Sequence, residues 1–503
     1  MSATKLRHFD QLIREAESLR GAGRRVVLCH GVFDLVHIGH IRYLQQARQL
    51  GDALIVTITP DCHVNKGPHR PIFTEDVRLD WLAALDCVDF TAINLWPTAV
   101  EAIANLRPDI FAKGGEYRDN KTPELLREEK AIADSGGQMV FIDDFTSSSS
   151  SLINNHLSPF SYEVNEYLQG IRQRHSSDEI LDWLEKTSDL RLLVIGEAVL
   201  DEHYNCTVLG RSNNAPIVAT RYESHVRRPA GALAIADYLS QFCEEVHLAT
   251  MIGDSPSERG WIESRAAENV RCRFIEKRDC PTIVRRRYRE SYFDAPLFEI
   301  NDYNDRPLDD DEQAEFLAAL EDVGQFDAVV VADYGHTFFT PPSIATIEQS
   351  ARYLAVSAPA HAANFGFHTI AKHDRADFAV IARRDLELEL RERDGDLERM
   401  LQSMADRLRA RRFIVTLGGQ GCLAFDRDEG IHRAQGVSTN VVDRSGGGDA
   451  FFAISSLAAA AGAPIEIVSL LGNAAGAQAV ATVGAELSID ALALQRHLQS
   501  LLK

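Results

Sequence analysis

Two short stretches of the chain carry the residue types that polyphosphate chemistry needs. The first reads GVFDLVHIGH over residues 31–40 and places His37 and His40 around Gly39. A helix that begins here would present free N–H groups and the positive end of its dipole to a phosphate. Two imidazoles there can hold a nucleoside triphosphate and stabilise charge that builds at the α-phosphorus during attack. An ordinary helix start with incidental histidines has the same pattern, so the spacing alone leaves both interpretations open.

The second stretch reads DRSGGGDAFFA over residues 443–453. Its three glycines, Gly446, Gly447 and Gly448, would leave backbone N–H groups free at the start of a helix, which makes an anion hole. Asp449 could then take the proton of a bound hydroxyl while the hole stabilises the moving phosphoryl group. The alternative is a glycine turn followed by an N-capping aspartate.

The elements that must position these residues are strands alternating with helices. Residues 25–145 alternate short apolar runs with amphipathic segments, and a second series of this kind begins at RLLVIGEAVLDEHY, residues 191–204. Such alternation with short loops predicts parallel, doubly wound sheets. We therefore predict an α/β protein with one domain over residues 1–158, a helical connector over 159–189, and a second domain over 190–503.

Composition narrows the classes of partner. The 503 residues carry a net charge of −21, which disfavours a nucleic-acid or anionic-membrane surface because both need a basic footprint. The eight cysteines are scattered and form no C-x-x-C pair, which indicates reduced thiols rather than zinc or disulfides. No apolar stretch approaches the ~20 residues of a membrane span, and the first residues lack a signal-peptide pattern. We expect a cytoplasmic enzyme without nucleic-acid or membrane partners.

The first stretch resembles the nucleotidyltransferase signature H-x-G-H within G-x-F-D-x-x-H-x-G-H. It is most similar to the cytidylyltransferase-like group that includes the heptose-phosphate adenylyltransferases. The resemblance covers about residues 25–155 and continues through LGDALIVTITPD, NKGPHRPIFTEDVRLDWLAALDCVD, LRPDIFAKGGEY and TSSSSSLI. It implies a Rossmann-like domain that transfers a nucleotidyl group from ATP or CTP to a sugar phosphate.

The resemblance also implies roles. His37 and His40 would bind the β- and α-phosphates, Lys66 would neutralise the triphosphate or the acceptor phosphate, and Arg78 would reach the phosphates. Asp34 would meet the substrate or fix the loop, and Lys66 could instead be an ordinary solvated lysine. The remaining residues that it places in the nucleotide or phosphate site are Gly31, Phe33, Asp34, Gly39, Lys113, Gly114, Ser150 and Ser151.

The second stretch resembles the ribokinase-like sugar kinase signature D-T-x-G-A-G-D, with Asp449 in the place of the catalytic base. Supporting stretches are VIGEAVLDEHY, VVVADYGH, FIVTLGGQGCLAF and LGNAAGAQAVATVGA. The nucleotide or phosphate site that the resemblance implies contains Gly418, Gly421, Gly446, Gly447, Gly448 and Asn473. The sugar site that it implies contains Asp201, Gly231, Arg287 and Asp333.

The second domain departs from the family at two motifs. Where the family has G-G-x-x-N, the chain has PAGALAIA, with Ala230 and Ala234 in place of a glycine and the asparagine. The N-x-x-E motif for Mg²⁺ lacks its asparagine, which leaves Asp385 or Glu387 as candidate metal residues. The stretch HAANFGFHTIAKH, residues 361–373, has no counterpart in the family and could line an altered acceptor pocket or be a structural loop.

One further stretch, PTIVRRRYRES, would place Arg285, Arg287 and Arg289 on one face of a strand. Such a face suits an acceptor that already carries a phosphate, because arginine binds phosphate through two hydrogen bonds. A solvated edge strand guarded by charge is the alternative.

The two resemblances together imply a bifunctional heptose-phosphate kinase and adenylyltransferase, with the kinase second where the common order puts it first. Mg²⁺ would screen the polyphosphate charge, K⁺ is a further candidate cation, and related kinases suggest a homodimer through the kinase domain. An active transferase fused to a degenerate kinase, serving as a binding, regulatory or dimerisation module, is the alternative that the missing asparagines favour. A nucleotide sensor without chemistry is a third hypothesis.

Overall fold

The computed structural model describes residues 5–64, 70–115, 118, 123–142, 160–293, 295–481 and 490–502. The chain divides into two compact units, residues 1–161 with 499–503, and residues 162–498. The helical residues that we predicted as a connector belong to the second of these units. In the described residues, no helix has the length and apolar character that crossing a membrane requires.

The first unit is a five-stranded sheet in the order β3-β2-β1-β4-β5, and all its strand pairs are parallel. Its elements are α1 (Phe9–Gly21), β1 (Val26–Gly31), α2 (Ile38–Gln49), β2 (Ala53–Ile58), α3 (Glu75–Ala84), β3 (Phe90–Ile93), α4 (Val100–Leu106), β4 (Ile110–Gly114), α5 (Pro123–Asp134) and β5 (Gln138–Ile142). Strand β2 is buried from end to end, and β1 and β4 are buried except for their last two residues, because helices cover both faces. Ligands in such sheets bind at the carboxyl ends of the strands, where β1 leads into α2.

The second unit is built on a twelve-stranded sheet whose central path runs β11-β10-β6-β12-β13-β14-β15-β16-β17. Its strands are β6 (Arg191–Arg211), β7 (Val218–Gly231), β8 (Glu245–Gly253), β9 (Val270–Lys277), β10 (Ile283–Glu290), β11 (Ala295–Asp302), β12 (Ala328–Ala332), β13 (Leu354–Ser357), β14 (Phe378–Ala382), β15 (Arg412–Thr416), β16 (Cys422–Asp426) and β17 (Gly430–Ala434). Its helices are α6 (Tyr162–Arg174), α7 (Ser177–Glu185), α8 (Ala232–Ser240), α9 (Pro256–Arg265), α10 (Asp310–Ala319), α11 (Pro341–Ser350), α12 (Arg383–Leu390), α13 (Leu397–Arg407), α14 (Gly447–Ala460), α15 (Ile465–Val480) and α16 (Ala491–Leu501).

Strand β6 is 21 residues long and serves two parts of this sheet. Its first half pairs in parallel with β8 and β12 in the core, where residues 192–195 are fully buried. Its second half pairs with β7 and β10, and together with β11 these strands form a ribbon. Asp201 lies where the core ends and the ribbon begins, so one strand sets both the position of this carboxylate and the direction of the ribbon.

The fold class is confirmed for both units. The alternation of strands and helices was readable because a parallel sheet buries its strands as continuous apolar runs. The ribbon was not predicted: β6 continues seven residues past the stretch that we assigned to a strand, and β7 was not recognised. Both segments are polar and largely exposed, so they lack the apolar pattern that marks the core strands.

Candidate active sites

The first candidate site lies at the start of α2. His37 is the N-cap of this helix, and its Nδ1 accepts a hydrogen bond from the backbone N–H of Gly39 at 3.1 Å. Because Nδ1 accepts, the neutral ring carries its hydrogen on Nε2. This Nε2 is buried and has no hydrogen-bond partner among the described residues. A buried donor without a partner is costly, and a phosphate oxygen would satisfy it.

His40 lies one helical turn further along, with its ring centre 4.2 Å from that of His37. Burial and the neighbouring His37 lower the pKa of His40 to about 4, and burial also lowers the pKa of His37. Both rings are therefore neutral at physiological pH when no ligand is bound. A triphosphate held here would meet N–H donors and the helix dipole, and its negative charge would raise both pKa values.

Phe33 and Asp34 build the loop that leads into α2. Phe33 is buried at a φ of +51° and packs edge-on against His40. The buried Asp34 forms an ion pair with Arg70 and accepts the backbone N–H groups of Ile72 and Phe73 at 2.8 and 3.1 Å. Its carboxylate is engaged by the protein, which corrects its assignment as a nucleotide ligand: Asp34 fixes the loop, the other role that we considered.

Arg78 corrects a second expectation. Its side chain is fully buried on α3, and its guanidinium donates to the backbone carbonyls of Phe73, Val32 and Thr59. It also forms an ion pair of 2.6 Å with Asp61. A guanidinium that is bonded on all sides inside the protein does not reach a phosphate. Arg78 instead ties together the loops at the carboxyl edge of the first sheet.

We expect the Arg78→Met substitution to destabilise the first unit by about 3–5 kcal/mol, because it leaves the Asp61 carboxylate and three backbone carbonyls, one of them fully buried, without their donor. The measurement is the denaturation midpoint of the first unit within the full chain, monitored with a spectroscopic signal that comes from this unit. Arg14→Met, the same change at an exposed position on α1, is the matched control. If the Arg78→Met chain has the same denaturation midpoint as the parent protein, this account is wrong.

The remaining predicted residues of this site divide into two groups. Gly31 ends β1 and Gly114 ends β4, both at the carboxyl edge of the sheet, and Gly39 is buried in the first turn of α2. Lys113 lies beside Gly114 and forms an ion pair of 2.7 Å with Glu128. Lys66, Ser150 and Ser151 lie outside the described residues.

The second candidate site lies at the start of α14. Gly446 is its N-cap with a φ of +77°, a conformation that side chains other than glycine rarely adopt. A Cβ on Gly447 would come within 2.7 Å of the Val480 side chain, whereas one on Gly448 would meet open space. The first N–H groups of the helix are thereby left uncovered, as an anion hole requires.

Asp449 lies in the first turn of α14. Its Oδ1 accepts a hydrogen bond of 2.8 Å from the hydroxyl of Tyr334, the second residue after β12. Burial raises the pKa of Asp449, while the Tyr334 hydroxyl and the charges of Arg285 and Arg287 act in the opposite direction. A carboxylate whose pKa is raised is a stronger base, which suits it to receive a proton from a hydroxyl.

Asp201 and Arg287 lie beside this helix start. Asp201 Oδ2 pairs with Arg287 at 3.0 Å, whereas its buried Oδ1 has no hydrogen-bond partner among the described residues. Arg287 also donates to Glu299 and to Ser445 in the loop before α14. Arg287 therefore anchors that loop, and the free oxygen of Asp201 can accept a hydroxyl hydrogen. This geometry agrees with the sugar-site assignment of Asp201 and gives Arg287 a supporting role.

Arg285 differs from its neighbours on β10. Its half-buried side chain has no hydrogen-bond or ion-pair partner in the part of the chain that the structure describes. Its positive charge acts on the pKa of Asp449, Asp201 and Tyr334, which places it among the residues of this site. The expected arginine face is therefore present, and Arg285 is its member with a guanidinium available to a ligand.

Asp333, expected as a sugar ligand, is engaged by the protein. Its fully buried carboxylate forms an ion pair with Lys372, lies 3.3 Å from the His373 ring nitrogen and accepts the N–H of Gly335. These partners outweigh burial and hold the pKa of Asp333 below its usual range. These contacts fix the loop after β12, and a sugar hydroxyl that bound here would have to compete with them.

Residues 361–373 contact the loop after β12 that carries Asp333 and Tyr334. Asn364 donates to the carbonyl of Tyr334 at 3.0 Å, and His368 bonds to the carbonyl of Asp333 at 2.9 Å. His361 stacks on His336 with ring centres 4.4 Å apart. Of the two roles that we considered for this stretch, these contacts favour the structural one: it braces the loop that carries Tyr334.

The two residues that we gave as alternative metal candidates lie on the same helix. Asp385 and Glu387 lie two residues apart on α12, so their side chains leave different faces of the helix. Glu387 pairs with Arg383 at 2.8 Å, while burial raises the pKa of Asp385 to about 6. In the described residues, the group of three donors close enough to share an ion is Asp305, His336 and His361, whose atoms lie within 4.8 Å of one another.

Four predicted residues have roles in shaping the second unit. Gly231 has a φ of +60°, and a Cβ there would approach the Tyr334 ring to 3.2 Å. Gly418 and Gly421 form the turn between β15 and β16, where a Cβ on Gly421 would collide with a backbone carbonyl. The amide of Asn473 donates to the Gln435 carbonyl at 3.3 Å and so supports the neighbouring loop.

Sequence reasoning named Tyr334 beside Asp333 in the stretch VVVADYGH without giving it a role, and it missed Glu197 as part of the second site. Buried Glu197 accepts the backbone N–H groups of Tyr334 and His336 at 3.0 and 3.1 Å. Burial and the nearby Asp333 raise the pKa of Glu197 to about 7. A signal existed, because an acidic residue inside the apolar run VIGEAVL needs a buried partner. The sequence does not say which loop supplies that partner.

Comparisons with known proteins match both parts of the chain. A family model described as cytidylyltransferase-like matches residues 28–155, and one described as pfkB family carbohydrate kinase matches residues 189–492. The potassium complex of phosphofructokinase-2 from Escherichia coli covers 61% of this chain and 99% of its own, with a TM-score of 0.50 and 16% identity. At that identity the likeness concerns the fold alone.

Curated relatives align with the N-terminal part of the chain. The bifunctional protein HldE of Syntrophotalea carbinolica is 41% identical over 144 residues, which are 27% of this chain and 29% of the relative. HldE of Pelobacter propionicus is 40% identical over 143 residues, 28% of each protein. The matched region thus spans less than a third of the length of these relatives.

Proposed function

The chain belongs to the pfkB family of carbohydrate kinases and carries a cytidylyltransferase-like domain before the kinase domain. From this premise we propose a bifunctional enzyme of nucleotide-sugar synthesis. Residues 1–158 would transfer a nucleotidyl group from ATP or CTP to a sugar phosphate, residues 159–189 would connect the domains, and residues 190–503 would phosphorylate a sugar or sugar phosphate with ATP. A heptose acceptor and an ADP-heptose-like product follow from the resemblance of the sequence to heptose-phosphate enzymes.

One observation carries the kinase half: the half-buried Asp449 stands in the first turn of a helix whose N-cap and first two residues are glycines, so that no side chain covers its first N–H groups. In the proposed reaction the acceptor hydroxyl gives its proton to Asp449, and its oxygen attacks the γ-phosphorus of ATP. The bond to the β–γ bridging oxygen breaks, and its electron pair leaves with ADP. The glycine N–H groups stabilise the charge of the phosphoryl group in transit.

The transferase half is supported by His37 at the start of α2. The Nε2–H of its imidazole has no hydrogen-bond partner among the described residues. An oxygen of the sugar phosphate attacks the α-phosphorus of the nucleotide, and pyrophosphate leaves with the electron pair of the broken bond. His37 and His40 donate hydrogen bonds to the phosphates as charge builds on them. The loop held by Asp34 and Arg78 keeps both rings in place.

The nature of the kinase acceptor is supported by two groups. The free Oδ1 of Asp201 is suited to a sugar hydroxyl, and the partnerless guanidinium of Arg285 is suited to an anion. Together they favour a sugar phosphate over a neutral sugar. The degenerate-kinase alternative lacks such support, since a module without chemistry needs neither the base nor the free arginine.

Both reactions use a nucleotide, and we propose that Mg²⁺ accompanies it to screen the phosphate charge. Asp385 and Glu387 are alternative candidates for holding the ion, and of the two Glu387 is engaged in an ion pair with Arg383. The cluster of Asp305, His336 and His361 offers two imidazole nitrogens, whereas Mg²⁺ prefers oxygen ligands. No step is therefore assigned to protein-bound Mg²⁺ or K⁺.

A homodimer through the kinase domain is part of the proposal. It is supported by the exposed apolar side chains of the ribbon, among which Tyr222 is 56% and Phe298 51% exposed. Apolar surface of this kind is typical of protein–protein contacts. A cytoplasmic location is supported by the eight cysteines, all of which are free thiols, since oxidising compartments favour disulfides.

The proposed function is tested by mass spectrometry of the products that the purified chain forms. We expect ADP and a phosphorylated sugar from ATP and a sugar phosphate such as a heptose 7-phosphate. We also expect pyrophosphate and a nucleotide-sugar from ATP or CTP and a sugar 1-phosphate. Pyrophosphate without ADP across a panel of acceptors would favour the degenerate kinase, and neither product would favour a nucleotide sensor.

A further inference from the structure

We propose that Tyr334 is a positioning residue of the kinase, which holds the Asp449 carboxylate so that one oxygen stays free for the acceptor hydroxyl. This inference rests on the proposed kinase function. The Tyr334 hydroxyl donates to Oδ1 of Asp449 at 2.8 Å. In the part of the chain that the structure describes, Oδ2 accepts no hydrogen bond. The phenol therefore selects which oxygen meets the substrate.

The position of Tyr334 is itself fixed on both sides of its backbone. Its N–H donates to Glu197 at 3.0 Å, and its carbonyl accepts from Asn364 at 3.0 Å. Its ring passes over Gly231, where a Cβ would come within 3.2 Å. A phenol held in this way can orient a carboxylate without paying the entropy of ordering a mobile side chain.

The electrostatics of the contact match this role. Burial raises the pKa of Asp449, and the Tyr334 hydrogen bond lowers it. The hydroxyl therefore favours the ionised carboxylate, which is the form that can accept a proton. The groups that face Asp449 from the surrounding elements are Arg285 and Arg287 on β10, Asp201 on β6, Tyr238 on α8 and Tyr334 after β12.

The orientation matters for one step. The acceptor O–H bond breaks, its proton goes to Asp449 Oδ2, and the oxygen forms its bond to the γ-phosphorus while ADP leaves. A carboxylate free to rotate would spend part of its time with neither oxygen aligned with the hydroxyl. Alignment affects the chemical step and leaves nucleotide binding untouched, so its loss appears in kcat rather than in KM.

The test is Tyr334→Phe in the full chain, which keeps the ring and removes only the hydroxyl. We expect kcat of phosphorylation to fall roughly tenfold, with the KM for ATP unchanged within about twofold. The acidic limb of the pH–kcat profile should move upward by about one pH unit, since Asp449 loses a hydrogen bond that favours its ionised form. Tyr353→Phe removes another buried hydroxyl of this unit and should leave both values unchanged.

A fall in kcat without a shift of the acidic limb would indicate general damage and overturn the inference, as would a parent-like kcat. A chain without kinase activity in any form would count against the proposed function instead. A double-mutant cycle of Tyr334→Phe with Asp449→Ala then still decides, because it is read from unfolding midpoints and alanine cannot accept the Tyr334 hydrogen bond. Coupled midpoints support the hydrogen bond that the inference needs, and additive midpoints overturn it.

Discussion

Replacing His37 with alanine is expected to lower pyrophosphate release by about 10²–10³-fold while phosphorylation by the same chain continues at the parent rate. The substitution removes the Nε2–H donor that has no partner among the described residues, and with it the side chain that caps α2. Loss of the cap costs only about 1 kcal/mol, so the unit should still fold. Steady-state pyrophosphate release and ADP formation, measured on one preparation, separate the two effects.

The matched control for His37 is His8→Ala, which removes an exposed histidine from the start of another helix, α1. It should leave pyrophosphate release unchanged. A His37→Ala chain that releases pyrophosphate within tenfold of the parent rate would show that the imidazole does not face the triphosphate. Our account of the first site would then be wrong.

The second large effect is expected for Asp449→Asn, which should lower ADP formation by about 10²–10⁴-fold. The amide keeps the size of the carboxylate and can still bond to Tyr334, but it cannot accept the acceptor's proton. The glycine N–H groups at the start of α14 are unchanged, so ATP should bind as before. Calorimetric titration of ATP and a coupled ADP assay measure the two quantities separately.

The control for Asp449 is Asp428→Asn, an exposed carboxylate that pairs with Arg411 at 2.8 Å on the surface of the same unit. Nucleotidyl transfer by the Asp449→Asn chain should equal that of the parent. If ADP formation survives in this variant, the base of the reaction lies elsewhere. If the parent chain forms no ADP and the variant binds ATP equally well, the kinase domain is a binding module.

Much of this architecture was accessible from the sequence because its signals are local. The start of α2 at Ile38 follows from the glycine and the capping histidine beside it, and the parallel sheets follow from continuous apolar strands. Asp449 at the start of a glycine-rich helix is likewise a matter of neighbouring residues. Where one or two turns of chain decide the geometry, the prediction was confirmed.

The expectations that failed concern charges whose partners are distant in sequence. Arg78 bonds to carbonyls that follow two other strands, and Asp333 pairs with Lys372 across 39 positions. The residue type indicates only that a charge is present. Whether it meets a ligand or a buried counter-charge depends on how loops meet at the edge of the sheet, which no local pattern encodes. Glu197 was not considered at all, because the apolar run around it gives no sign of the distant backbone N–H groups that it binds.

The choice between the two metal candidates could not be made from the sequence for a different reason. Asp385 and Glu387 come from two possible frames of one motif, and the frame depends on where the helix begins. Residues 383–390 form a helix, on which a spacing of two places the side chains on opposite faces. Only one of the two can therefore face a given site.

The long strand β6 has a mechanical consequence. Its register against β7 slips at two places, between Asn205 and Cys206 and between Val208 and Gly210. Bulges of this kind are where a strand bends most readily, because its ladder of hydrogen bonds is already interrupted. Both irregularities lie beyond Asp201, so a bend of the ribbon at either one leaves the backbone that carries this carboxylate paired with β7 and β10.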